Sequence, residues 1–362
     1  MTVGQPTLPA PGTFGGQPAP WVTLRKPAAG LPDAGPELLE AMYRALMVDN
    51  EWAVREERSF TWWPHSVPQT VTVSRPALAF GDPTVALRAA CTVVEDVTAD
   101  EDAMLHELSQ VNATGMLSAW VWDPSARAIR VVTGAYLHPG NRPLLPVLQL
   151  AVLFVATLAQ SGVDRLVACV GGRPATSAHP RSGRREEPDQ LLGFVPGMVI
   201  PRGEGPSAFG GFVAEAASAW DWCMASGDDT GFTGELPFTG TTPAMVALAD
   251  GQDPTQTALV QISSDARHPE LGSGLHAVLR LPAFMSRTEA EHMAQALNAA
   301  EATEPTGFPQ FGAWCADPDL PALTFVMFMP SLLARPGLVA NAVFQLAMRC
   351  AWARERLGVA QR

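Results

Sequence analysis

Ala119-Trp120-Val121-Trp122-Asp123-Pro124 returns in the second half of the chain as Ala313-Trp314-Cys315-Ala316-Asp317-Pro318. The shared pattern is Ala-Trp-x-x-Asp-Pro. An apolar run follows each copy, at 128–132 and 322–329. An Arg-Pro pair comes next, Arg142-Pro143 or Arg335-Pro336, and then a long helical stretch. A helical stretch carrying an asparagine, Asn112 or Asn298, precedes each copy. The short motif alone could be chance, but its recurrence in the same order of elements points to two diverged copies of one folding unit.

Working outward, each unit is expected to run helix, three strands, helix, two strands, helix. In the first, a helix starts near Pro36, a favoured first-turn residue, with Leu38, Leu39, Met42, Leu46 and Met47 on one side. β-Branched and aromatic runs predict strands at 60–63, 70–73 and 85–94. Asp100, Glu101 and Asp102 put negative charge at the start of a helix, where the dipole favours it. Strands near 117–123 and 127–137 and a helix over 143–161 close the unit. The second unit is expected to hold a helix near 212–225 and strands near 232–238, 258–264 and 275–281. Ser286-Arg-Thr-Glu289 has the form of a capping box and opens a helix over 287–300. Strands near 310–315 and 322–328 lead to a closing helix over 337–357. Clustered antiparallel strands with helices at their edges give an α+β fold. The expected organisation is a disordered Pro/Gly-rich lead (1–35), a first domain (36–170), a linker (171–211) and a second domain (212–362).

The chain has 362 residues, enough for two domains with real cores. Its net charge of −12 argues against nucleic acid as a partner, because phosphate binding needs clustered Lys and Arg. Five cysteines, Cys91, Cys169, Cys223, Cys315 and Cys350, form no C-x-x-C pair and have apolar neighbours. That pattern predicts buried free thiols and a cytoplasmic setting. The first residues lack the basic and apolar regions of a signal peptide. The stretch 144–159 is interrupted by Pro146 and Gln149. It is shorter than the roughly 18 to 20 apolar residues that a span requires, so a buried core helix is expected and no membrane partner.

The order of elements resembles the type III secretion chaperone-like fold, in its YbjN-like or Tir-chaperone-like bacterial branch. In the first unit the likeness rests on the strand before Glu95-Asp96 and on the helix with Leu108-Ser-Gln-Val-Asn112. It rests also on the strand pair from Leu117 to Leu137 with the apolar helix after it. It covers most of 36–161 and, more weakly, 212–357. The resemblance implies a non-enzymatic protein that binds extended segments of a partner protein and pairs with a second copy. In a two-copy chain the pairing would be internal, giving a monomeric pseudo-dimer, with a homodimer as the other form. A bacterial secretion, conflict or regulatory system is the setting implied.

No catalytic, cofactor or metal constellation emerges. His106-Glu107 lacks the second His that H-E-x-x-H zinc chemistry needs. His268 and His276 flank a hairpin without cysteines or clustered carboxylates. Ser273 lies in a strand-to-strand setting that is wrong for a nucleophile elbow. The candidate partner-binding residues are Trp62, Trp63, Trp220 and Trp222, since tryptophan is enriched at interaction hot spots. Arg181, Arg184 and Arg185 form an exposed charge run that is either a solvated loop or a site for an acidic partner. Asn112 and Asn298 are expected to cap helix ends, and Asp123-Pro124 and Asp317-Pro318 to start turns. Two other functions fit the same sequence. One is an enzyme with a site between the copies, using His65, His106, Asp123 or His138. The other is a structural subunit of a larger assembly.

Overall fold

A computed structural model describes residues 30–79, 82–193, 195, 205–219, 224–238, 257–282, 285–304 and 306–357. Of the expected lead, residues 1–29 lie outside the described residues, as do Trp220, Trp222 and Cys223.

Among the described residues, two antiparallel sheets form; burial alternates along strands such as Gln69–Val73, Gly231–Pro237 and Thr257–Ser263, while Ala128–Leu137 and Leu323–Pro330 are buried on nearly every residue. The strands of the first are β1 (Ala53–Arg55), β2 (Ser59–Trp62), β3 (Gln69–Val73), β4 (Ala77–Ala79), β5 (Asp82–Glu95), β6 (Ala119–Asp123), β7 (Ala128–Leu137) and β8 (Arg173–Pro174). Those of the second are β9 (Met224–Gly227), β10 (Gly231–Pro237), β11 (Thr257–Ser263), β12 (Arg267–His268), β13 (Gly272–Arg280), β14 (Ala313–Ala316) and β15 (Leu323–Pro330). The first sheet has the order β1-β2-β3-β5-β7-β6 and the second β9-β10-β11-β13-β15-β14 reversed, so their main paths match strand for strand. Trp120 pairs with Val131 in the first sheet and Trp314 with Phe325 in the second.

The helices are α1 (Gly35–Ala45), α2 (Glu101–Asn112), α3 (Leu145–Val170), α4 (Gly210–Ala219), α5 (Arg287–Thr303) and α6 (Leu338–Arg356). Asp100 caps α2 by accepting from the Ala103 N–H, and Ser286 and Glu289 form a full capping box on α5. One apolar cluster runs through both halves and contains Leu87, Leu148, Leu275, Phe325 and Leu346. Each fully buried side chain of this kind contributes about 1.5–3 kcal/mol. The fold is thus α+β, with more strand than the sequence pattern suggested.

Three departures have local causes. Helix α4 is described over Gly210–Ala219, and a strand occupies Met224–Gly227 where the helix was expected to reach 225. The cause is a hairpin signal, as Asp228 Oδ1 accepts from the N–H groups of Thr230 and Gly231 and folds β9 onto β10. Helix α3 continues to Val170 instead of stopping near 161. Gly162 sits beneath the Trp120 ring, where a Cβ would lie 3.0 Å from it, so this glycine allows close packing and does not end the helix. Leu166 and Val170 extend the buried stripe. Finally, Cys169 is exposed, whereas Cys91, Cys315 and Cys350 are buried as expected. Helix α3 is long and apolar enough by composition to cross a membrane, yet 56% of its most apolar window is buried inside the protein. It is a core helix here.

Candidate functional site

The repeated Ala-Trp motif forms a corner at the edge of each sheet. Asn112 Nδ2 donates to the Trp120 carbonyl at 3.0 Å, and the Trp120 N–H donates to Asn112 Oδ1 at 2.8 Å. Asn298 does the same for Trp314, at 2.9 and 2.8 Å. Both asparagines are buried. Each amide therefore stands in for a neighbouring strand and satisfies an edge that would otherwise present bare N–H and C=O groups. This corrects the expectation that the asparagines cap their own helices. Asn112 is the last residue of α2 and Asn298 lies one turn and more inside α5, and both amides cap the strand.

A seam joins the two corners. Helices α2 and α5 pack on each other, and each also reaches the other half's edge strand. Ser109 Oγ on α2 accepts from the Ala316 N–H at 2.9 Å, and Gln295 Oε1 on α5 accepts from the Trp122 N–H at 3.2 Å. Gln310 N–H donates to the Gly134 carbonyl at 2.8 Å, while Phe328 N–H donates to the Gly115 carbonyl. Ala119 and Ala313 share one small apolar cluster with Val121 and Val132. Arg88 donates to the carbonyls of Thr303 and Glu304 at the end of α5, where a cation suits the helix dipole. Gly115 has φ +74, and a Cβ there would meet Val326 Cγ1 at 2.6 Å, so both backbone and space require glycine.

Of the candidate partner-binding residues, Trp62 is in the core, its indole donating to Gln69 Oε1 at 2.6 Å. Trp63 is buried at the first sheet's edge, and its indole donates to Ser177 at 3.1–3.2 Å. Arg185 is largely covered. It donates to the Trp63 carbonyl at 2.6 Å, pairs with Asp189 and lies over the Trp52 ring at 5.1 Å. Arg181 and Arg184 are exposed. The stretch expected as a linker thus brings Trp63 and Arg185 together, with Arg181 and Arg184 on the same turn. Trp62 faces elsewhere, into the core.

The residues considered for catalysis have separate surroundings. His65 is buried, with Nε2 against the Ala156 carbonyl and Nδ1 accepting from Val67 N–H, and burial pushes it down to about 4. It is a neutral core histidine. His106 Nδ1 meets Glu291 Oε1 at 2.7 Å across the seam, with Arg287 on the same carboxylate. Asp123 accepts from the Ser125 hydroxyl and from the N–H groups of Ser125 and Ala126, bonds that hold it below the usual carboxylate range. Asp317 does the equivalent work in the second half. Burial, the largest influence, raises it, but the Asp319 N–H and the Arg280 guanidinium bring it down overall. His138 lies 4.0 Å from Asp82 at the rim of an apolar cavity of about 130 Å³ lined by Leu38, Val85, Leu137 and Leu145. Burial pushes the Cys315 and Cys350 thiols up to about 12, so they are inert at neutral pH. Among the described residues, no group of three or more His, Cys, Asp and Glu is placed to hold a metal.

Sequence reasoning passed over Ser109 and Gln295, yet a signal was present. Written one under the other from their asparagines, His106-x-x-Ser109-x-x-Asn112 aligns with His292-x-x-Gln295-x-x-Asn298. The ion pair of Glu301 with Arg349, buried beneath Trp314, carried no such signal. The chain matches no protein-family model and no characterised protein.

Proposed function

We propose that this chain is a non-enzymatic protein-binding module, in which two diverged copies of one type III secretion chaperone-like unit act as a fused pseudo-dimer. The observation that carries the reading is the reciprocal seam. Ser109 reaches Ala316 and Gln295 reaches Trp122, so the same patch on each half meets its counterpart, as in a twofold dimer. The setting proposed is the cytoplasm of a bacterium, in a secretion, conflict or regulatory system, with a protein partner and neither a cofactor nor a metal.

The test is partner retention. Affinity capture from the native host, followed by mass spectrometry, is expected to return one abundant, reproducible protein. Folded His106→Ala and His138→Ala variants are expected to retain it. Loss of a measurable turnover in either folded variant would replace this reading with an enzyme whose site lies between the halves.

A further inference from the structure

We propose that residues 173–189 are an internal ligand, occupying in cis a site at the first sheet's edge that takes a turn-forming, arginine-bearing segment of a partner protein. The proposal rests on the protein-binding reading and names the surface and the chemistry of the segment bound.

The receptor side is a row of outward-facing backbone acceptors beside two aromatic rings. The carbonyls of Glu51, Trp63, Pro64 and Ser66 accept from Ser182 Oγ (2.9 Å), Arg185 Nη1 (2.6 Å), Asp189 N–H (2.6 Å) and Ser177 N–H (3.0 Å). The Trp63 indole supplies one donor, to Ser177. The Arg185 guanidinium lies over Trp52, and the His179 ring meets Trp63 edge-on at 4.9 Å. A guanidinium held by a carbonyl and stacked on a tryptophan is a recognition contact, because the cation gains from the ring face while its N–H groups stay bonded. In this geometry the arginine is the bound group. Of the two sequence readings of this run, a solvated loop or a site for an acidic partner, the second is here replaced by a site for a basic partner, which the net charge of −12 favours.

The segment is built as a ligand would be. From 176 to 190 only His179 is buried, and its Nε2 has no hydrogen-bond partner among the described residues. The turn closes on itself through paired bonds between His179 and Gly183, 2.7 and 3.0 Å long. Its ends are fixed, by β8 pairing with β5 on one side and by buried Leu191 and Leu192 on the other. Tethering at both ends gives the segment a high effective concentration, so a free competitor must outbind it or the segment must first lift.

The test replaces 176–188 in the full chain by a Gly-Ser linker of equal length. The probe is a fluorescein-labelled peptide of residues 173–189, followed by anisotropy. The replaced chain is expected to bind it at least tenfold more tightly than the intact chain, and R185A in the peptide to weaken binding at least tenfold. A folded replaced chain that binds no better than the intact one, or an R185A peptide that binds equally well, overturns the proposal. Where the replaced chain does not fold, amide exchange on the intact protein decides. The Ser177 and Asp189 amides are expected to exchange at least a hundredfold faster than those of β5, and equal protection overturns the proposal. If the peptide fails while the intact chain still captures a partner, this site is wrong and the binding-module reading stands.

Discussion

Beneath Trp120 lies an apolar layer of Met104, Leu108, Ile129 and Val131, with Gly162 of α3 against the ring. Beneath Trp314 lies an ionic one. The indole N–H donates to Glu301 Oε1 at 2.7 Å, and Arg349 grips both oxygens of that carboxylate at 2.9 Å. The guanidinium also donates to the Pro309 carbonyl and is stacked between Phe308 and Phe325, 4.5 and 3.7 Å from their centroids. The backbone clamp is the same in both corners. The comparison teaches that the asparagine sets the corner, while the layer underneath is free to be apolar or charged as long as every buried group is partnered.

The sharpest way to break this comparison is Arg349→Met. It leaves Glu301 charged and buried, and should cost about 3–5 kcal/mol by urea denaturation. The double change Glu301→Gln/Arg349→Met should recover most of the loss, turning the second corner into one like the first. A single variant as stable as the parent would mean that the ionic layer is not part of the second core.

Acid should separate the halves next. His65 belongs to the first half, and burial holds it near 4, below the ordinary histidine value of about 6.5. Its folded value is depressed, so the unfolded chain takes up the proton first. The stability from keeping it neutral is fully present above about pH 6.5 and is lost as pH falls towards 4, about 3 kcal/mol in all. His268 and His276, in the second half, are also pushed down by burial. His65→Asn should therefore flatten the slope of stability against pH between 4 and 6.5 without abolishing it. An unchanged slope would place the acid sensitivity in the second half alone.

The clamps themselves are compared by Asn298→Ala and Asn112→Ala. Each should cost about 2–3 kcal/mol by thermal or urea unfolding, since a buried N–H and a buried C=O both lose their partner. Asn298→Ala should be the worse, because Gln295 Nε2 also donates to the Trp120 carbonyl, at 3.2 Å, and backs up the first clamp. Equal losses would show that the backup contributes nothing. The smallest effect is expected for the reciprocal seam bonds. Ser109→Ala and Gln295→Ala should each cost about 1 kcal/mol, with Gln295→Ala slightly larger because it serves two groups.

How much of this was legible varies with the range of the cause. The main helices and long strands followed from local pattern, while the short strands β1, β4, β8, β9 and β12 did not, and the capping box at Ser286 and Glu289 could be read directly because caps act within one helical turn. The two matching corners were visible in Ala-Trp-x-x-Asp-Pro because backbone geometry at an edge corner tolerates few alternatives. The asparagine's role was not visible. An Asn near a helix end has a common local use, and its actual partner is a strand eight or sixteen residues on. Of the surface candidates, Trp63 and Arg185 proved to touch each other. That contact depends on a chain reversal through 171–185, a stretch whose Gly, Pro and Arg content predicts only a loop. The Glu301–Arg349 pair was hidden because charged residues on helices are ordinarily solvated.

The reciprocal seam has a consequence for synthesis. Ser109 and Ala316 are 207 positions apart, so the first half leaves the ribosome well before its counterpart exists. At ordinary translation speeds that interval is roughly 10–40 s, long compared with the folding of a small domain. Throughout it, Ala119, Val121 and Val132 have no covering layer, and nothing yet answers Ser109. Two nascent chains on one messenger would then present the same unfinished face to each other. Intermolecular pairing of first halves is the error this architecture invites, and the speed at which 287–316 emerges decides how often it occurs.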